Sequence, residues 1–384
     1  MNATEIKTVL IMAGGTGGHI FPALAVAQVL KEKGTRIEWL GTRKGLEARL
    51  VPEHHYPINY IEIGGLRGKG IKTLMLLPFR LAKAMIQTFS VYKKIKPDVV
   101  LGMGGFVTGP GGMVAWLLGK PLVLHEQNAI AGLTNKILFK FAKKVFAAFP
   151  GAFKEHKKLS VIGNPVRQEI TSLSEPEHRF KEKWPELDKP ESKVTLHLLI
   201  IGGSLGATAL NERVPQALEL LSKNSNRAES DFGQIMVRHQ CGEKHLEATL
   251  ENYRWLDKKI DDSDIKAEVL PFITDMAQNY EWADVIICRS GALTVSEIAA
   301  AGVASLLVPF PYAVDDHQTA NADYLANEGA ALLIQQNDLD KKRLAEVLLS
   351  LDKKNVVDMA SKARQLAINN AAEVVADECL RLAG

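Results

Sequence analysis

A strand that runs directly into a glycine loop and then a helix leaves few folds open, and this chain carries that pattern twice. The apolar run Val9 to Met12 enters Ala13-Gly14-Gly15-Thr16-Gly17-Gly18-His19, and Phe21 to Leu30 follows. That last stretch reads as a helix with Pro22 in its first turn, where a missing N–H costs nothing. Later, Val194 to Ile201 enters Gly202-Gly203-Ser204-Leu205-Gly206-Ala207, and a second helical stretch follows. Glycines let the backbone adopt unusual dihedrals and approach a ligand closely. Amide groups at a helix start favour an anion, most often phosphate. His19 adds a side chain that titrates near neutral pH. The first loop therefore predicts a phosphate site with acid–base chemistry beside it.

Between and after these loops, short apolar runs alternate with helical stretches. In the first half they are Lys7–Met12, Arg36–Leu40, Ile58–Ile63, Asp98–Leu101, Pro121–Leu124, Lys144–Ala147 and Leu159–Ile162. In the second they are Gln234–Val237, Ala267–Leu270, Asp284–Cys288, Ala304–Val308 and Ala330–Ile334, besides Val194–Ile201. This spacing predicts an α/β protein with doubly wound parallel sheets. At 384 residues the chain exceeds what one core usually supports, so two Rossmann-like domains are expected, with a break at Gly163-Asn164-Pro165-Val166-Arg167. Sites in such sheets lie at the carboxyl ends of strands, so the cleft between two facing sheets is the expected active site. Val356 to Leu382 reads as a final helix. Val99 to Gly119 holds no charge over 21 residues, but its seven glycines and Pro110 argue against a membrane span. A strand, a loop Gly104–Gly109 and a short buried helix through Trp116 fit better.

Charge narrows the function classes. The net charge is only +3, yet Ile63 to Lys158 holds sixteen basic and three acidic residues, so the remainder carries −10. The N-terminal half is thus expected to meet something anionic. Lys69 to Lys96 interleaves basic residues with Met75, Phe79, Leu81, Met85 and Ile86, which suits an anionic bilayer surface as well as it suits a core helix with solvated lysines. No aromatic series is interleaved with the cations, so nucleic acid is not expected. The three cysteines, Cys241, Cys288 and Cys379, are far apart and suggest neither a metal site nor a disulfide framework. The N-terminal segment lacks the apolar core of a signal peptide.

Several constellations could carry chemistry. Neither glycine loop matches a dinucleotide fingerprint or a P-loop. Glu38, at the end of the second strand, could mimic a ribose-binding acid or be a solvated strand-end glutamate. In Arg289-Ser290-Gly291-Ala292-Leu293-Thr294-Val295-Ser296-Glu297, Ser290 is a good N-cap and the amides of Gly291 to Leu293 would suit a phosphate. Glu297, one turn into that helix, could accept a ribose diol; the spacing fits a surface glutamate equally well. His125-Glu126-Gln127-Asn128 follows a buried strand and is expected to face a cleft. Asp315-Asp316-His317-Gln318 reads as a polar loop, with Gln318 available to a ligand, and not as a metal site.

Together these residues resemble the MurG family of peripheral membrane glycosyltransferases. The motifs that carry the resemblance are Gly14–His19, Gly64–Gly70, Gly102–Gly105, His125–Asn128, Gly163–Arg167, Gly202–Ala207 and Arg289–Gly302, in order along nearly the whole chain. The resemblance implies a GT-B fold of two Rossmann-like domains facing across a cleft. Residues 1–163 would form an acceptor- and membrane-binding domain on which a helix at 369–384 packs back, and 164–368 a UDP-GlcNAc-binding domain. It implies transfer of N-acetylglucosamine from UDP-GlcNAc to the C4 hydroxyl of the muramoyl sugar of lipid I, with inversion, to give lipid II. The setting would be the cytoplasmic face of the bacterial inner membrane, in a possible cell-wall synthesis complex.

The same resemblance assigns roles. Ala292, Leu293, Thr294, Val295, Ser296 and Glu297 should hold the nucleotide, Glu297 on the ribose. Ile273 should meet uracil, and Ser204 and Gln318 the UDP moiety. Asn128 and Arg167 should reach the donor, and Thr16, Gly17 and Gly18 should line the donor cleft near the acceptor pyrophosphate. Gly104, Gly105 and Phe106 belong to the acceptor side, and Lys69, Lys72, Met75, Phe79, Arg80 and Lys83 to the membrane face. Two positions depart from the family: Leu205 stands where glutamine is familiar, and Phe106 where tyrosine is frequent. His19 is the first choice for the base that takes the C4 proton and Glu126 the second. The helix start at Gly291–Leu293 would stabilise departing UDP, so neither metal nor cofactor is expected. A UDP-sugar epimerase on the same fold is the rival reading; a membrane-bound nucleotide-sugar sensor and an NAD-dependent oxidoreductase are weaker ones.

Overall fold

The computed structural model describes residues 6–64, 77–187, 189, 191–203, 206–259 and 264–384. Lys69, Lys72, Met75, Ser204 and Leu205 lie outside these residues. The chain divides into two compact units, Met1–Arg167 with Ile368–Gly384, and Gln168–Ala367.

The first unit is built on seven described strands: β1 (Thr8–Met12), β2 (Arg36–Gly41), β3 (Ile58–Tyr60), β4 (Val99–Gly102), β5 (Leu122–Glu126), β6 (Lys144–Ala147) and β7 (Leu159–Val161). All pair in parallel, in the order β3-β2-β1-β4-β5-β6-β7. β1, β4 and β5 are buried along their whole length, which is why they read as continuous apolar runs: a parallel sheet is covered on both faces. Helices α1 (Gly17–Glu32), α2 (Glu47–Glu53), α3 (Leu77–Ile95), α4 (Thr108–Leu117) and α5 (Leu133–Leu138) are the crossovers.

The second unit repeats the plan. Its strands are β8 (Val194–Ile201), β9 (Phe232–Gln240), β10 (Ile265–Leu270), β11 (Val285–Cys288), β12 (Ala304–Leu307) and β13 (Ala331–Leu333), all parallel in the order β10-β9-β8-β11-β12-β13. Its helices include α6 (Gln168–Thr171), α7 (Pro176–Lys183), α8 (Thr208–Leu221), α9 (Leu246–Asn252), α10 (Met276–Trp282), α11 (Ala292–Ala301), α12 (His317–Ala326), α13 (Lys341–Leu349) and α14 (Lys353–Gln365). Helix α15 (Ala371–Ala383) belongs to the first unit, where Val375, Ala376 and Cys379 share a core with Val9, Ile11 and Val26.

Four local expectations change. α1 begins at Gly17, so Pro22 stands inside the helix and not in its first turn. The single terminal helix is two, because the chain leaves helical geometry after Gln365 and re-enters at Ala371, across the boundary between the units. Helix α4 buries Gly111, Gly112, Val114 and Ala115, but Trp116 is half exposed and Leu117 more so. Glu38 is neither solvated nor open to a ribose: it is buried, taking hydrogen bonds from Arg36 and Asn59.

Candidate active site

In both sheets the strand order reverses between two neighbours, β1 and β4 in one, β8 and β11 in the other. The loops leaving such a pair diverge to opposite faces and open a crevice at the carboxyl ends of the strands. The Gly14–His19 and Gly104–Phe106 loops leave the first of these points and Arg289–Glu297 the second, whereas His125–Asn128 lie at the end of β5, Ile273 past β10 and Gln318 past β12.

In the first unit, the loops after β1 and β4 touch. A Cβ on Gly105 would stand 2.3 Å from the Gly14 carbonyl oxygen, and one on Gly104 would stand 2.7 Å from His19 Cδ2. Gly104 and Gly105 adopt left-handed φ of 101° and 82°, which a side chain would strain. The second loop is pinned by Met103 N–H to the Met12 carbonyl, and by the Thr108 hydroxyl to the Gly104 carbonyl at 2.8 Å. His19 occupies the third position of α1, one turn past Gly15. Its Nδ1 is buried without a partner, while the ring as a whole is partly exposed. The Cδ2–Nε2 edge of the imidazole packs against Gly104. Burial holds its pKa below the ordinary 6.5, against the pull of the carboxylates of Glu126 and Glu47. At neutral pH it is a neutral imidazole, which is the state a proton acceptor requires.

The other base candidate is placed differently. The Glu126 carboxylate accepts from the Asn128 amide at 3.0 Å, the Asn128 side chain at 3.3 Å, Gly132 N–H at 3.0 Å and the Asn135 side chain at 2.9 Å. It is buried at the end of β5. Four donors engage its two oxygens, and two of them come from Asn128, which the carboxylate thereby orients. His125, pushed down to about 4 by burial, bonds the Gly163 carbonyl at 3.0 Å. The Asn164 side chain donates to the Gln127 carbonyl at 3.1 Å. These bonds tie the two motifs together and place Arg167, whose guanidinium lies 5.2 Å over the Phe21 ring. Thr16 and Gly15 are exposed at the head of α1, and Phe106 is half exposed beside them in sequence to Gly105.

In the second unit, α11 starts one residue later than Ser290 capping would require. Gly291 is the N-cap, and the first backbone bond runs from Val295 N–H to the Gly291 carbonyl. The amides of Leu293 and Thr294 precede that bond and are oriented towards the helix start. The Ser290 hydroxyl is buried with no partner. Val295 is fully buried and its amide closes the turn, so it supports the helix start from behind. Glu297 is buried and not a surface residue; it accepts from the Tyr280 hydroxyl at 3.0 Å. Leu293 and Thr294 are partly exposed, and Ser296 bonds the Ala292 carbonyl. Ile273 is buried just past β10. Gln318 turns its carbonyl oxygen to Phe310 N–H at 2.9 Å, so it shapes the loop after β12. The loop at Asp315 and Asp316 has both residues at left-handed φ.

On the first unit's surface, α3 buries Ala84, Thr88 and Tyr92 and exposes Phe79, Arg80, Lys83 and Ile86. Phe79 and Ile86 are 72% and 69% exposed, apolar groups on the face where solvated lysines alone were the alternative. Lys83 pairs with Glu62 at 2.8 Å. Trp116 and Leu117 add exposed apolar surface at the end of α4, which packs against α3.

Residues 9–147 match the glycosyltransferase family 28 N-terminal domain and residues 197–379 the glycosyltransferase family 28 C-terminal domain. The chain belongs to glycosyltransferase family 28. A relative from Aeromonas hydrophila subsp. hydrophila, a UDP-N-acetylglucosamine–N-acetylmuramyl-(pentapeptide) pyrophosphoryl-undecaprenol N-acetylglucosamine transferase, is 51% identical over 98% of this chain and 97% of its own. The crystal structure of Acinetobacter baumannii MurG superposes with a TM-score of 0.79 at 42% identity, covering 98% of this chain and 99% of that one. With it the chain shares the GT-B fold. A UDP-N-acetylglucosamine 2-epimerase covers 98% of this chain and 96% of its own at a TM-score of 0.60 but only 16% identity, a likeness of fold alone.

The family 28 N-terminal match contains His19, Glu126 and Asn128, and the C-terminal match the whole of α11. Sequence reasoning gave no role to three residues that support these sites, although Arg289 opens a motif it singled out. Glu47 bonds the first glycine loop. Arg289 bonds the Val308 and Pro309 carbonyls and the Gln336 side chain, fixing the loop after β12. His239 bridges the Tyr253 hydroxyl and the Asn211 side chain beneath the second glycine loop, both at 3.0 Å. The available signal was position: Glu47 follows the end of β2 and Arg289 the end of β11, where doubly wound sheets place functional side chains.

Proposed function

We propose that this chain transfers N-acetylglucosamine from UDP-GlcNAc to the C4 hydroxyl of the muramoyl sugar of lipid I, with inversion, forming lipid II. The observation that carries the proposal is half-identity along almost the full length to a transferase named for that reaction. The site chemistry is consistent with it. The first unit offers a neutral histidine, the base that must accept the C4 proton as that oxygen attacks. Thr16, Gly17 and Gly18, at the positive end of α1, are suited to the acceptor pyrophosphate. Gly104, Gly105 and Phe106 flank the acceptor sugar, and Asn128 and Arg167 reach the donor.

The second unit supplies the leaving-group side. The start of α11 at Ala292–Thr294 is assigned to the UDP phosphates, whose charge grows as the glycosidic bond breaks; fixed amide dipoles stabilise such charge without reorganising. Glu297 takes the ribose, held by Tyr280, and Ile273 the uracil; Ser204, Ser296 and Gln318 complete the set. Val295 acts from the core side.

The membrane face is assigned to Phe79, Arg80, Lys83, Ile86, Trp116 and Leu117, extended by Lys69, Lys72 and Met75. Among the described residues no helix is long and apolar enough to cross a membrane. Exposed aromatic and aliphatic groups beside cations suit peripheral attachment to an anionic leaflet, where the undecaprenyl acceptor resides. Incubation with radiolabelled UDP-GlcNAc and a lipid I analogue tests the reaction. Label in the lipid fraction is expected; epimerised UDP-sugar with unlabelled lipid would overturn it in favour of the rival.

A further inference from the structure

Glu47 is the first residue of α2 and has no exposed surface. Its carboxylate accepts from Gly15 N–H at 2.9 Å through one oxygen, and from Thr42 N–H and the Thr42 hydroxyl, both at 2.8 Å, through the other. Among the described residues no cation pairs with it. Three glycines close around it: a Cβ on Gly45 would stand 2.0 Å from one carboxylate oxygen, one on Gly14 2.7 Å from the other, and one on Gly41 2.7 Å from Glu47 Cγ. A buried carboxylate is costly unless hydrogen-bonded, and here the chain omits three side chains to admit it. What it holds is the glycine loop itself. Gly14, the neighbour of the bonded Gly15, carries the carbonyl that packs on Gly105, and Gly104 packs on the His19 ring.

We infer that Glu47 is the positioning residue of the acceptor site: an internal anion that captures the Gly15 amide, fixes the first glycine loop against the second, and so sets the His19 imidazole. The Gly15 amide is thereby withdrawn from any bound phosphate, which leaves the head of α1, Thr16 to Gly18, as the anion-binding part of the loop. The carboxylate also contributes charge. The titratable groups facing His19 are Glu126 and His125 on β5 and Glu47 on α2; the two carboxylates both favour protonated imidazole.

This inference rests on the proposed role of His19 as base, and its test includes a readout independent of catalysis. In Glu47→Gln, which keeps the shape but loses an acceptor, kcat is expected to fall ~10–100-fold with KM for UDP-GlcNAc within about twofold, the range of lost positioning. The His19 ring, followed by NMR, should titrate at lower pH than in the wild type, and the Gly15 amide should exchange faster with solvent. In Gly45→Ala the charge stays but is pushed off the amide; kcat should fall while the His19 titration stays near the wild-type value. An unshifted His19 titration and protected Gly15 amide in Glu47→Gln would overturn the inference whatever the wild type catalyses. So would loss of UDP affinity in step with kcat, which would mark global damage. Absence of transfer by the wild type, with both NMR changes present, would instead remove the catalytic reading and leave the positioning intact.

Discussion

His19 and Glu126 show how burial sorts residues that look alike as chemistry. Both are titratable and both stand at a strand or helix end, yet one keeps a ring nitrogen without a hydrogen-bond partner and the other has four donors. His19→Ala should lower kcat by ~10²–10⁴, the usual worth of a general base; an unchanged kcat in steady-state assays would remove it from that role. Since its pKa lies below 6.5, the rate should be flat through neutral pH and decline only as acid protonates the ring. Glu126→Gln leaves the backbone amides of Asn128 and Gly132 competing for one oxygen, and should raise KM for the donor through a disordered Asn128. A shift in the acid limb of kcat with KM preserved would favour a base role for Glu126 after all. The types and spacing of these groups were legible in the sequence. Their hydrogen-bond saturation was not, because it depends on partners such as Asn135 and Gly132 that meet the carboxylate only after β5 and α5 are packed.

The central strands were legible to within a residue or two, because a strand covered on both faces is continuously apolar; Ile58–Ile63 ends already at Tyr60, and Gln234–Val237 extends to Phe232–Gln240, where burial alternates and apolar content no longer marks the ends. Helices were less so. Their buried stripe can be filled by small residues, as α4 does with Gly111, Gly112 and Ala115 while exposing Trp116, and apolar content then misreports which side faces the core. The same ambiguity hid the outward face of α3. Replacing Phe79 and Arg80 together by alanine should weaken binding to anionic vesicles by at least about tenfold, since one cation near such a surface is worth ~1 kcal/mol and the buried ring adds to it. Turnover of a short-chain, water-soluble acceptor should be unchanged. Vesicle sedimentation with equal binding by the variant would move the membrane contact elsewhere.

Two buried histidines, one in each unit, give the molecule a common acid sensitivity. Burial pushes His125 to about 4 and His239 to about 3. Both folded values lie below the unfolded 6.5, so the unfolded chain takes up protons first, and stability present above pH 6.5 is lost as pH falls. At pH 5 each contributes a loss of ~2 kcal/mol, at 1.36 kcal/mol per pH unit. The urea midpoint should drop between pH 7 and pH 5, and His239→Gln should flatten part of that slope; a pH-independent midpoint would contradict both burials. The two-unit plan itself was readable from the recurring strand–loop–helix signature. The return of the chain was harder to place, since the five residues between α14 and α15 carry no proline or glycine to mark the break. That return has a consequence for synthesis on the ribosome. The groove that α15 fills, among Val9, Val26 and Val99, stays open until the entire second unit has been translated. The second unit can therefore complete its core first, and the nascent first unit must wait with a strip of its apolar interior uncovered, an exposure that chaperones would be expected to recognise.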